Sequence, residues 1–319
     1  MVTIPGIDEF NKQWKAISNW YPNYMQVASA LENIQRSGKC SLLPTMSIEW
    51  KGGIPTFDDL LDDIKAGGKN TWIRDSLMNE DYCSSHKIRH FLLSVDTFRN
   101  PGKSPFSMAV KPLSAWCVPA TEEGMGKFDL TFSELQEPYL PVRIGTRTAF
   151  DATTTPPGNV SDLHIDHTGL SVYITAVSGC KLVLVYPPTR QNLSIFEPFH
   201  VKSNPVLLWS ALSDQSGLEG LQIVVLREGK GIRLQPGAIH CLVSAGWASV
   251  GGYAVAEYSA LDMAASAMRW EFEALKRREE EHGKGTPNSA KEMKRVLKDD
   301  YELWLQLAQE LGGGEERGY

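Results

Sequence analysis

Three side chains have the types and spacing to hold a metal ion. In Leu163-His164-Ile165-Asp166, a strand would put residues i and i+2 on one side, so the His164 imidazole and the Asp166 carboxylate would project together. His240 supplies a third ligand in the run GIRLQPGAIHCLV, where Pro236-Gly237 predicts a turn directly before a strand that returns antiparallel beside the first. Two imidazoles and one carboxylate on one face of an octahedral metal are the usual non-haem Fe(II) set, with three positions left for a co-substrate and O2. An H-x-D triplet alone carries little, since such triplets are common on surfaces and in caps. Its surroundings give it weight. Lys181 opens S-G-C-K-L-V-L-V-Y-P-P, and a lysine at the head of an otherwise apolar strand is costly to bury unless its ammonium meets an anion.

The elements that must position these groups are legible as runs and breaks. From 142 to 260 the chain reads LSVYITAV, KLVLVYP, LQIVVLRE, GIRLQ, CLVSA and GGYAVAEYS, separated by turn residues. Strands at this spacing with no intervening helices predict an antiparallel double sheet or barrel. Upstream, 8–36 has helical spacing broken by Pro22, which predicts two helical pieces, and Thr56 caps a short helix in TFDDLLDDIK. Residues 72–144 read as strands and loops. Residues 147–160, RTAFDATTTPPGNV, look like a loop inserted between core strands. After 260 the character changes to two amphipathic helices, 261–282 and 289–311, split by GKGTPNS and followed by a frayed GGGEERGY tail.

Composition bounds the classes. With 319 residues, 42% hydrophobic and 22% charged, the chain can bury a substantial core, and either one large or two average domains fit. The 32 basic and 38 acidic residues leave a net charge of −6, which argues against an intrinsic binder of duplex nucleic acid. Cys40, Cys83, Cys117, Cys180 and Cys241 are odd in number and scattered without a C-x-x-C pair, as expected for reduced intracellular thiols. The N-terminal MVTIPGIDEFNKQW lacks a secretory pattern, and no stretch approaches the ~18 apolar residues of a membrane helix. A cytoplasmic or nuclear protein is expected. His200, and the His86/His90 pair at helical spacing, have no third ligand in view and are not read as a zinc site.

Taken in order, S-D-L-H-I-D, S-G-C-K-L-V-L-V-Y-P-P and L-Q-P-G-A-I-H closely resemble the T-P-L-H-x-D, G-x-K-x-W-x-L-x-P-P and P-x-x-W-x-H segments of the JmjC domain of 2-oxoglutarate-dependent oxygenases. The resemblance implies a mainly β fold with flanking helices, built on a double-stranded β-helix of the jelly-roll or cupin type. It divides the chain into an N-terminal helical and strand elaboration (1–141), the JmjC catalytic core (142–260), a C-terminal helical hairpin (261–311) and a tail (312–319). It implies that His164, Asp166 and His240 hold Fe(II), and that Lys181 makes the salt bridge to the distal carboxylate of 2-oxoglutarate. Ser161 sits where the family's threonine contacts the same carboxylate. A dianionic co-substrate needs such charge-assisted partners inside a dry barrel.

The sequence departs from the pattern at three places. Ala238-Ile239 stand where an aromatic often precedes the distal histidine. The frequent asparagine after H-x-D is missing, and Tyr173 is the expected replacement phenol donor. Arg143 falls where an apolar residue is usual, and could add a second cation to the pocket. The C-terminal hairpin looks like the dimerising helices of small JmjC hydroxylases, which implies a homodimer through 261–311. The expected reaction is hydroxylation of a protein side chain, or demethylation of methyl-lysine as in histones, with 2-oxoglutarate converted to succinate. The absence of zinc-finger or Tudor-like reader patterns favours a stand-alone hydroxylase. Oxidation of a small molecule is the alternative, and a non-catalytic JmjC-like scaffold a further one. The net charge slightly favours a basic peptide substrate.

Overall fold

The computed structural model describes residues 2–16, 24–50, 116–119, 130–132, 139–140, 151–155, 160–166, 169–199, 217–246 and 248–282. Two helices lead the chain, α1 (Ile7–Ala16) and α2 (Tyr24–Ser37). They are the two pieces expected on either side of Pro22. Asp8 and Glu9 in the first turn of α1 and Lys15 in its last complement the helix dipole. Ile7, Phe10 and Trp14 recur at helical spacing and are buried, with the Phe10 and Trp14 rings stacked at 5.8 Å between centroids.

Thirteen strands are described: β1 (Ser41–Leu42), β2 (Met46–Trp50), β3 (Trp116–Pro119), β4 (Leu130–Phe132), β5 (Tyr139–Leu140), β6 (Asp151–Thr155), β7 (Val160–His164), β8 (Ser171–Ser178), β9 (Cys180–Tyr186), β10 (Gln222–Arg227), β11 (Lys230–Leu234), β12 (Ile239–Ser244) and β13 (Ala248–Glu257). Two further α-helices are described, α3 (Arg190–Phe196) and α4 (Leu261–His282), with short 3-10 turns at Glu197–Phe199 and Tyr258–Ala260. The fold is thus two multi-stranded sheets with helices against them. One sheet runs β1-β10-β9-β12-β7, and the other runs β3-β6-β13-β8-β11-β2-β4 with β5 paired to β13. β8 leads directly into β9 in the opposite sheet through Gly179, whose φ of 70° is a conformation that disfavours any side chain.

Strand alternation sorts the side chains of the smaller sheet into two layers. Val183 and Val185 of β9, Val224 and Leu226 of β10 and Leu242 of β12 form one cluster with Ile174 and Ala176 of β8, Ile232 and Leu234 of β11 and Val250 of β13. Because this cluster draws on both sheets, it is the space between them. Cys180, Leu182, Leu184 and Tyr186 of β9, with Ile239, Cys241 and Val243 of β12, face the other way against Phe10, Trp14, Leu31, Leu193 and Phe196 of the helices. All seven residues of β9 are therefore buried, which is why its sequence reads as a continuous apolar run.

Two expectations are corrected. A helix does intervene between the strands of 142–260. Thr189 caps α3 by accepting a hydrogen bond from the Asn192 backbone N–H at 3.2 Å, and buried Asn192 ties the helix down through bonds to Pro187 O and Glu219 O, both 2.9 Å. Seven residues span too few turns to show a helical period. The 147–160 segment is also more than a loop. Within it β6 is hydrogen-bonded on both sides, to β3 and β13, and Val160 begins β7. Thr153, Thr154 and Thr155 are β-branched and suit a strand, yet their polarity hides it from hydropathy. The first hairpin helix expected at 261–282 is α4. The second, at 289–311, lies outside the described residues, as do the Thr56 helix, Arg143, His86, His90, His167 and His200. Among the described residues, no helix is long and apolar enough to cross a membrane.

Candidate metal centre

The turn expected at Pro236-Gly237 is present, and it controls the distal histidine. Ala238 N–H bonds back to Gln235 O at 3.1 Å, with Gly237 at φ 74° in the third turn position. Proline second and a left-handed glycine third suit a type II turn. The Ala238 carbonyl then lies 3.0 Å from His240 Nδ1. That contact assigns the proton to Nδ1 and leaves the Nε2 lone pair for a ligand, the usual arrangement at metal-binding histidines. His240 is 2% exposed. Burial, then the neighbouring His164, pushes its pKa down to about 4 against the opposing pull of Asp166 and the Ala238 carbonyl, so the ring is neutral at pH 7.

β12 runs antiparallel to β7 and sets His240 directly opposite His164. Their ring centroids are 4.2 Å apart. Asp166 lies just past the end of β7, its carboxylate 3.9 Å from His164 Nε2 and 3.6 Å from His240 Nε2. One donor atom from each of the three residues falls within 4.8 Å of the others. A metal at ordinary bond lengths would touch all three, and the donor set of two imidazoles and a carboxylate suits iron(II). His164 and Asp166 are about two-fifths exposed, so the cluster opens outward on their side while His240 closes it from within.

Strand register also settles where Lys181 sits. It shares the inward face of β9 with Val183 and Val185 and is 1% exposed. β12 presents His240, Leu242 and Ser244 opposite Val185, Val183 and Lys181 in turn. The lysine and the distal histidine therefore face the same inter-sheet space. Ser161 is in register with Leu242, because the β7–β12 ladder shifts between His240 and Leu242. Without that bulge, positions 161 and 164 would fall on opposite faces.

Tyr173 is not brought to this group. Its strand neighbours Val172 and Ile174 face the inter-sheet core, so the phenol leaves from the other face of β8. There its hydroxyl donates to Glu257, which also accepts from Ser171 and from Arg233 Nε at 2.9 and 3.1 Å. Burial and then the Glu257 carboxylate raise the Tyr173 pKa above its ordinary value. Burial alone would raise the Glu257 carboxyl, but hydrogen bonds from Arg233, Ser171 and Tyr173 hold it below the usual range. A carboxylate closing the otherwise uncharged run GGYAVAE was the signal in the sequence for such a network.

Two measurable consequences follow from the local geometry. A Cβ at position 237 would lie 2.9 Å from Ala267 Cβ and 3.3 Å from Pro188 Cβ, in a backbone conformation that L-residues avoid. Gly237→Ala should lower stability by about 2 kcal/mol and, by displacing the Ala238 carbonyl, weaken metal binding roughly tenfold; urea unfolding and Mn(II) titration would show both. In the metal-free protein, the unfolded chain takes up a proton at His240 near pH 6.5 while the folded chain resists it to about pH 4. Stability from this residue is thus present above pH 6.5 and is lost as the pH falls toward 4. The Glu257 contribution, also from a lowered pKa, is present above about 4.5 and lost below it. The urea midpoint should fall between pH 7 and pH 5, and His240→Gln should flatten that fall.

No protein-family model matches the chain. Stretches of it are similar to three proteins, each called JmjC domain-containing histone demethylation protein 1. The Debaryomyces hansenii protein is 44% identical over 52 residues, 16% of this chain and 10% of that protein. The Candida albicans protein is 30% identical over 87 residues, 27% and 18% of the two chains. The Saccharomyces cerevisiae protein is 36% identical over 61 residues, 18% and 12%. The matched stretches thus cover less than a fifth of each relative's length. Together with the ordered motifs around His164, Lys181 and His240, these partial identities support similarity of the chain to JmjC-domain proteins.

Proposed function

We propose that this chain is an Fe(II)- and 2-oxoglutarate-dependent oxygenase that removes methyl groups from lysine side chains of a histone. The observation that carries this reading is the convergence of His164, Asp166 and His240 within 4.8 Å, with His240 Nε2 left as an acceptor by the Nδ1 contact to Ala238. The relatives' names favour demethylation over the stand-alone hydroxylation that the lack of reader patterns suggested. A basic histone tail suits a chain of net charge −6, and such a substrate implies a nuclear place of action.

The strand order supports a double-stranded β-helix. β7, β12, β9 and β10 in one sheet face β6, β13, β8 and β11 in the other, the eight-strand arrangement of a jelly roll. In this reading residues 142–260 are the catalytic core, and 1–141 and 261–311 are elaborations of it. A homodimer through 261–311 would dissociate on truncation near Ala260, as read by size-exclusion chromatography.

Bound iron and 2-oxoglutarate would supply oxidative chemistry in which O2 is consumed, 2-oxoglutarate loses CO2 to become succinate, and one oxygen atom enters a substrate C–H bond. The protein's part is positional. His164, Asp166 and His240 hold the metal on one face. Lys181 offers a buried cation for the distal carboxylate, where charge is poorly screened, with Ser161 as a hydroxyl partner. The apolar lining of Val183, Val185 and Leu242 excludes water. Oxidation of an N-methyl group gives a hydroxymethylamine, which releases formaldehyde and returns the amine.

Anaerobic addition of Fe(II) and 2-oxoglutarate should produce a weak charge-transfer band in the visible. A well-folded, metal-loaded protein without the band would overturn the oxygenase reading. Formaldehyde released from methylated histone peptides would identify the reaction. Succinate without formaldehyde, over a different peptide, would redirect it to side-chain hydroxylation.

A further inference from the structure

Two glycines flank the candidate metal ligands at equal remove. Gly169 follows Asp166 by three residues and Gly237 precedes His240 by three, so each belongs to a stretch of chain that carries a ligand. Both rest on α4. A Cβ built on Gly169 would lie 2.6 Å from Met268 Cγ and 2.8 Å from the Ala264 carbonyl oxygen, closer than Cβ atoms come to other atoms in proteins. For Gly237 the nearest obstacle is Ala267 Cβ, at 2.9 Å. Ala264, Ala267 and Met268 stand at i, i+3 and i+4, hence on one helix face, and all three are buried, Met268 completely. One face of one helix is thus the floor under both stretches.

That floor bears on what strand pairing leaves undetermined. His164 and His240 are held opposite each other by the β7–β12 ladder, whereas Asp166 lies past the end of β7 and its side chain is 38% exposed. The close contact of Gly169 with α4 anchors the chain again three residues later. Around the other ligand, Ala267 bears on the turn whose Ala238 carbonyl orients the His240 ring at 3.0 Å. Donors that must converge within 4.8 Å bind an ion tightly only if their supports hold them there before it arrives.

We infer that Ala267 and Met268 are positioning residues for the metal centre. Through Gly237 and Gly169 they fix the separation of the segments bearing His240 and Asp166, so α4, which holds none of the three ligands, sets the metal affinity. This rests on the metal-binding reading of the triad above. A purely packing role makes a different prediction, since loss of packing lowers the stability of the whole chain but leaves each folded molecule with an unaltered site.

The test compares metal binding with stability in the full chain. Met268→Ala removes the floor under Gly169, and calorimetry with Mn(II) on the folded variant should show affinity about tenfold weaker, the scale on which supports of metal ligands act. Met268→Leu conserves volume and should bind within about twofold of the original. Ala267→Val adds bulk against Gly237 and should weaken Mn(II) as Met268→Ala does; it carries the test if Met268→Ala does not fold. With Co(II) bound, both weakening variants should also alter the visible d–d absorption, which reports coordination geometry and is indifferent to the stability of the fold. Unchanged Mn(II) affinity and Co(II) absorption in folded variants whose urea midpoints fall would overturn the positioning role and leave the metal centre standing. Failure of the unaltered protein to bind Mn(II) or Co(II) would instead overturn the metal-centre reading, and the role of α4 with it.

Discussion

Asp166→Ala should abolish the charge-transfer band and weaken Mn(II) or Fe(II) binding by more than about 100-fold. Loss of groups that merely orient metal ligands costs about 10- to 100-fold, and Asp166 is a ligand in its own right on the proposed reading. It is also the one anionic member of the cluster, lying 3.9 Å from His164 and 3.6 Å from His240. Without it two imidazoles remain, and a divalent cation loses both a bond and its charge compensation. Asp166→Asn keeps the shape and removes the charge, so it should fall between the unaltered protein and the alanine variant. Because Asp166 lies beyond the end of β7 and is 38% exposed, neither change should disturb the sheets, and circular dichroism should be unchanged. Metal affinity within tenfold of the original would show that the cluster is not the iron site.

The second large effect is expected at Lys181. Lys181→Met keeps the length and apolar stem of the side chain but removes the ammonium. On the proposed reading 2-oxoglutarate then loses its main electrostatic partner in a site that excludes water. Breaking a buried, hydrogen-bonded charge pair costs about 2–5 kcal/mol, or roughly 30- to 4,000-fold in affinity. Metal binding should be retained, since Lys181 is not among the three ligands. Calorimetry with Mn(II) first and 2-oxoglutarate second separates the two steps. Lys181→Arg should rescue poorly, because the wider guanidinium fork must enter a position that is 1% exposed and lined by close-packed residues. Equal loss of metal and co-substrate would point to general collapse of β9.

Much of the core was legible because its signals are local. The continuous apolar run of β9 could only be a strand covered on both faces, and it is buried throughout. The run 261–282, marked by its apolar spacing and the break that follows it, is α4. The antiparallel return after Pro236-Gly237 is the β7–β12 pair. Less was legible where local signals were weak or shared. Thr189 caps a helix too short to show a period, and the threonines of β6 form a strand without apolar alternation. Tyr173 illustrates a different limit. The family resemblance suggested it as a replacement for the missing asparagine in contact with the co-substrate, but alternation along β8 turns it toward Glu257, Ser171 and Arg233 instead.

By itself the sequence determined which residues could serve as ligands, which strands are buried, and where the chain must turn, since each depends on side-chain chemistry within a few neighbouring residues. Only the tertiary structure decided which of those residues meet. The pairing of His164 with His240, the bulge that shifts the register at Ser161, and the placing of Lys181 on the face it shares with His240 are properties of strand register. Register arises from the packing of two sheets against a common core, and a slip of one residue would turn every one of these side chains to the opposite face.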